Sequence, residues 1–128
     1  MPAHHWQLDP VPASAAKARS LLRGLNLDHH TCKRGELLVT ELVANALRHA
    51  DLDEGDRIEV AVREGPGALH VEVVDPGRGF EPDALPGEQP DGGPSEGGWG
   101  LRLLERLSDE WGVARKGDRT CVWFDLAT

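Results

Sequence analysis

The chain of 128 residues contains no tyrosine, one methionine, two phenylalanines and two cysteines. So few thiols exclude a disulfide framework. Cys32 and Cys121 are too far apart in sequence for a zinc or redox motif, and they read as reduced thiols packed as small apolar groups. No apolar run approaches the roughly 20 residues that a membrane-spanning helix needs. Positive charge is also scarce: 14 Lys and Arg stand against 22 Asp and Glu, a formal net charge of −8. That balance argues against general affinity for nucleic acid or for an anionic membrane, since either polyanion would be repelled. The first residues, Met1 to Trp6, lack the basic start and apolar core of a secretory leader, so a cytoplasmic location is expected. There is no His-Glu-x-x-His pattern. The adjacent pairs His4-His5 and His29-His30 chelate poorly, because neighbouring helix positions point about 100° apart, and they read as surface side chains.

What is present fits a soluble globular domain: 39% hydrophobic and 28% charged residues. The length suits one α/β domain covering residues 1–128. His4 to Leu8 reads as a short edge strand, broken by Pro10 and Pro12. Ser14 is placed to cap a first helix running to about Leu25, and Asp28 to cap a second ending near Ala50. Arg57–Arg63 and Ala68–Val74 alternate as strands around a Gly65-Pro66-Gly67 turn. Residues 76–98 show almost no apolar periodicity and read as a long loop, which inside a compact domain is usually functional or disordered. Leu101, Leu104 and Leu107 resume helical spacing. Trp111–Ala114 and Thr120–Leu126 then read as a closing hairpin, turned at Lys116-Gly117-Asp118. This order predicts a two-layer α/β sandwich, with helices on one face of a mixed sheet.

Three segments carry chemistry. On the second helix Glu41, Asn45 and Arg48 share one stripe, with His49 beside it, opposite an apolar face of Val39, Val43, Ala46, Ala50 and Cys32. Taken alone, such a stripe reads as an ordinary solvent face. Asn45, however, supplies a neutral oxygen suited to Mg²⁺, and Glu41, one turn earlier, can accept a proton from an attacking hydroxyl. Asp75 closes a strand just before Pro76-Gly77. An acceptor-only carboxylate there would pair with the amine of adenine and oppose the carbonyl of guanine. Gly77 and Gly79 would let the purine approach the backbone. Gly98-Trp99-Gly100-Leu101 opens the third helix, where free N–H groups favour phosphate, although no Walker sequence follows. Together these segments describe a pocket for ATP and Mg²⁺.

Glu41 to Ala50 (Glu-Leu-Val-Ala-Asn-Ala-Leu-Arg-His-Ala), Asp75 to Phe80 (Asp-Pro-Gly-Arg-Gly-Phe) and Gly98 to Leu101 (Gly-Trp-Gly-Leu) resemble the GHKL ATP-binding superfamily. Within it the likeness is to the small anti-sigma-factor serine kinases and stand-alone bacterial ATP-binding regulators, over nearly the whole chain from Trp6 to Leu126. The resemblance implies a Bergerat-type fold that holds ATP or ADP under a lid at about residues 76–98. It implies Asn45 as the Mg²⁺ ligand, Glu41 as catalytic base and Asp75 with Gly77 and Gly79 around adenine. Gly98, Gly100 and Leu101 would lie at the phosphates, with Arg48 and His49 flanking them. Thr120 would join Asp75 at the adenine.

The function it implies is transcription regulation: an anti-sigma factor that phosphorylates a serine on an anti-anti-sigma antagonist. An alternative is an ATP- or ADP-dependent switch that sequesters a partner without phosphoryl transfer. A detached catalytic domain of a sensor histidine kinase ranks third, since no helix pair with a phospho-acceptor histidine precedes the domain. The expected partners are a sigma factor and its antagonist protein, and related regulators often form homodimers. One departure bears on the alternative. From Gly79 to Gly98 there is no Lys or Arg, while Glu81, Asp83, Glu88, Asp91 and Glu96 line the segment, which gives little charge help to a triphosphate. Trp99 is a large apolar side chain in this polar stretch and reads as a lid anchor, or as a surface on which ligand or partner stacks.

Overall fold

The computed structural model describes residues 3–49, 52–76 and 96–128. Its elements, in chain order, are β1 (Ala3–Leu8), α1 (Ala13–Arg23), α2 (His29–His49), β2 (Ile58–Gly65), β3 (Ala68–Asp75), α3 (Glu96–Leu107), β4 (Glu110–Lys116) and β5 (Arg119–Ala127). The strands form one five-stranded sheet in the order β1-β2-β3-β5-β4. Every described pairing is antiparallel, so the expectation of a mixed sheet is corrected in that detail. The reason lies in the last hairpin. β5 inserts between β3 and β4, which point the same way and would otherwise have met as a parallel pair.

Local chemistry explains the punctuation. Gly67 and Gly117 sit in the two hairpin turns with φ of 81° and 67°, left-handed values that glycine adopts without a Cβ clash. Asp28 caps α2: its Oδ1 accepts the Thr31 N–H at 2.9 Å and its Oδ2 accepts the Thr31 hydroxyl at 2.6 Å. Those bonds hold the Asp28 carboxyl below its ordinary range. Ser14 does not cap α1. Pro12 occupies the N-cap, and Ser14 lies buried in the first turn, where its hydroxyl donates to the Asp9 carbonyl at 2.6 Å. Proline fits this end of a helix because its fixed φ suits the helix and it has no N–H to satisfy.

The core lies between one sheet face and the helices. Ile58, Val60 and Val62 of β2, Leu69, Val71 and Val73 of β3, and Phe124 and Leu126 of β5 meet Leu22 of α1, Leu38, Val39, Leu42 and Val43 of α2, and Leu104 of α3. All are nearly inaccessible to solvent, and each contributes about 1.5–3 kcal/mol of transfer free energy. Gly35 allows α1 and α2 to approach: a Cβ there would stand 2.7 Å from Leu22 Cδ2. Both cysteines are free thiols, with Cys121 buried and Cys32 half-buried. Among the described residues no helix is long and apolar enough to cross a membrane.

Candidate functional site

Arg34 fixes the direction of α2. Its Nη2 donates to the Ala127 carbonyl at the end of β5, and its Nη1 donates to the Leu107 carbonyl at the end of α3, each at 3.1 Å. Gly35 beside it lies over Leu126. The N-terminal half of α2 therefore covers the end of the sheet where β5 stops. Asn45 lies about 16 Å further along the helix. Over about 23 Å in the same direction β5 runs back to Thr120 and β3 forward to Asp75. Because α3 ends beside Arg34 and packs along α2, its N-terminus points to the same end as Asn45. The second half of α2, the start of α3 and the β3–β5 end at Asp75 and Thr120 therefore lie toward the same end of the sandwich.

The sheet supplies its floor. Asp75, the last residue of β3, stands directly opposite Thr120 of β5 in the antiparallel register. Opposed residues project to the same side. Alternation places both on the helix-facing side, continuing the rows Leu69-Val71-Val73 and Val122-Phe124-Leu126. Both are buried, at 7% and 1% exposure. A buried carboxyl group across from a buried hydroxyl, at the end of an apolar row, is suited to a ligand with hydrogen-bonding edges and a flat apolar body.

The helix supplies the wall. Asn45 is only 7% exposed and Glu41 is half-buried, while Arg48 is exposed. The stripe that would pass for a solvent face therefore turns partly inward, and the buried arc of α2 is wide enough to include Leu38, Leu42 and Asn45. Asn45 Oδ1 accepts a hydrogen bond from Arg48 Nη2 at 2.7 Å. Its carbonyl oxygen is thus directed at a positive group, the orientation that a metal ligand requires.

α3 starts at Glu96, one turn and more before the Leu101 expected from apolar spacing. Gly98 falls among the first four residues, whose amides have no acceptor within the helix. Gly100 is one turn in. The missing signal was apolar periodicity, which glycines cannot show. Gly77 and Gly79 lie outside the described residues, as does most of the expected lid. The side chains of His49 and Leu101 lie outside them too, although the backbone places His49 at the end of α2 and Leu101 within α3. The sequence also missed a group on the opposite face of the sheet. There His70 of β3 lies between Glu72 and Asp125, with Nε2–Oε2 at 2.8 Å and Nδ1–Oδ1 at 2.5 Å. His4, expected at the surface, is half-buried, with its ring nitrogen 3.1 Å from Glu64.

Residues 7–126 match the family model of the histidine kinase-like ATPase domain. No curated protein matches the sequence. Among solved structures, the crystal structure of the RsbU and RsbW domains of Rv1364c from Mycobacterium tuberculosis is similar at a TM-score of 0.73 and 22% identity, over 99% of this chain. The blue-light activated histidine kinase EL346 of Erythrobacter litoralis is similar at a TM-score of 0.64 and 27% identity, over 92% of this chain. This chain spans 32% and 42% of the length of those two chains. At 22% identity the first likeness concerns the fold alone. The family match covers nearly all of the sequence and includes Glu41, Asn45, Asp75 and Thr120. The chain belongs to the histidine kinase-like ATPase domain family.

Proposed function

We propose that this protein is an ATP-binding regulator that acts as an anti-sigma factor and transfers phosphate to a serine of an antagonist protein. The observation that supports the nucleotide reading is the buried Asp75–Thr120 pair, a carboxyl and a hydroxyl directly opposed on the helix-facing side of the sheet. In this reading Asp75 accepts the adenine amine and Thr120 completes the adenine edge. Gly77 and Gly79 give the purine access to the backbone. The phosphates extend toward Gly98, Gly100 and Leu101, with Arg48 and His49 beside them.

Asn45 fits a hard cation, because its carbonyl oxygen is already held toward a positive charge. Among the described residues no cluster of three or more His, Cys, Asp or Glu side chains could hold a metal. Asn45 would hold Mg²⁺ in this reading, and the metal, when bound, would offset the triphosphate charge. Glu41 accepts the proton as the serine oxygen bonds to the γ-phosphorus and the bond to the ADP oxygen breaks. The sigma factor and the antagonist as partners, the serine kinase step, a homodimer and a cytoplasmic location are parts of this proposal. The similarity to a structure containing an RsbW domain supports it at the level of fold.

A second reading is a switch that binds ATP or ADP and sequesters a partner without phosphoryl transfer. It is favoured by the acidic segment from Gly79 to Gly98, which carries no Lys or Arg. Two variants separate the readings. Asp75→Asn is expected to weaken ADP binding by roughly tenfold or more, the cost of losing a charge-assisted hydrogen bond. Glu41→Ala is expected to leave binding intact and to abolish phosphorylation of an antagonist domain. Calorimetry and radiolabel transfer measure the two effects. Unaltered ADP affinity in Asp75→Asn would overturn the adenine reading. Binding without any transfer by the wild type would favour the switch.

A further inference from the structure

We infer that Arg48 is a resident cation on the metal-ligand oxygen of Asn45: it must leave that oxygen for Mg²⁺ to bind, which ties metal binding to nucleotide. The inference rests on the nucleotide reading above and extends it to a residue of this chain. The two side chains are three positions apart on α2 and lie on one face of the helix. Nη2 donates to Oδ1 at 2.7 Å, the short end of the range for a charged donor. Asn45 is buried and Arg48 exposed, so the guanidinium reaches inward from the rim to satisfy an oxygen that water barely reaches.

A magnesium ion requires about 2.0–2.1 Å to its oxygen ligands and near-octahedral geometry. A guanidinium nitrogen 2.7 Å from the same oxygen obstructs one approach and repels the ion as a like charge. Mg²⁺ without nucleotide therefore has to break that hydrogen bond against the repulsion of the guanidinium. With nucleotide, the displaced guanidinium finds phosphate oxygens, for which its planar fork is suited. One side chain would thus disfavour a bare metal ion in the site and contribute to binding the complete Mg²⁺–nucleotide complex.

The test is calorimetric titration of ADP at a series of MgCl₂ concentrations, on wild type, Arg48→Gln and Arg48→Lys. Arg106→Gln, at the far end of α3, serves as a control for loss of one charge. Two changes are expected in Arg48→Gln. The Mg²⁺ concentration that half-maximally enhances ADP binding falls roughly threefold to tenfold, the equivalent of one exposed-to-buried hydrogen bond no longer opposed. ADP affinity at saturating Mg²⁺ weakens several-fold, because a phosphate partner is lost. Arg48→Lys lies between, and Arg106→Gln matches wild type. Circular dichroism melting confirms that each variant folds. If the Mg²⁺ midpoint of Arg48→Gln is unchanged or higher, Arg48 merely orients Asn45 and the inference fails, while the nucleotide reading stands. If wild type takes up no ADP at any Mg²⁺ concentration, the nucleotide reading itself fails.

Discussion

His70 offers the sharpest test of how this sheet is held together. Both of its ring nitrogens face carboxylate oxygens, Nδ1 at Asp125 and Nε2 at Glu72. Carboxylates only accept, so both nitrogens must donate, and that is the imidazolium form. Partial burial by itself pushes the imidazole toward the neutral state. The hydrogen bonds to Glu72 and Asp125, with their charges, outweigh it and raise the pKa above the ordinary value near 6.5. Arg63 stands opposite His70 in the β2–β3 register, and Trp123 of β5 contacts its ring, so the group lies on the open sheet face and bridges β3 to β5.

The sign follows from linkage. A folded pKa above the unfolded one adds stability that is fully present below about pH 6.5 and disappears as pH rises through the folded value. The three side chains are 29%, 24% and 30% exposed, so solvent screening is substantial and each pair is worth about 0.5–1 kcal/mol. His70→Gln is therefore expected to cost about 1–2 kcal/mol at pH 6, a fall in Tm of roughly 3–8 °C, and close to nothing at pH 9. Thermal unfolding of both proteins from pH 5.5 to 9 measures this. Equal destabilisation at both ends of that range would mean that His70 acts by packing alone and would refute the argument.

Two further predictions concern the frame of the site. Gly35→Ala gains about 1 kcal/mol of helix propensity but drives a methyl to 2.7 Å from Leu22, a side chain with no exposed surface, so a net loss of about 1–2 kcal/mol is expected in urea unfolding. Arg34→Met removes the donors to the Leu107 and Ala127 carbonyls and should cost about 1–3 kcal/mol, with faster hydrogen exchange at the ends of α3 and β5.

Much of this protein was legible along the chain. Alternating Val and Ile in β2 and β3, the Asp28 cap and the hairpin glycines are local signals, and local physics decides them. The residues Glu41, Asn45 and Asp75 were readable as candidates because carboxylate and amide chemistry suits a nucleotide and its metal. Where the chain misled, the deciding contact was non-local or the signal was absent. Ser14 looked like a cap, but the Asp9 carbonyl claimed its hydroxyl. The first turn of α3 is glycine-rich and shows no hydrophobic period.

The sequence by itself determined the order of elements and the chemical types at the site, since both depend on neighbours a few residues away. Only tertiary structure decided that Thr120 faces Asp75, because strand register sets which residues oppose each other. It alone brought Asp125 onto His70 across the same two strands. It also turned Asn45 from a surface position into a buried oxygen held by Arg48, because burial depends on what packs against a helix and not on the helix alone.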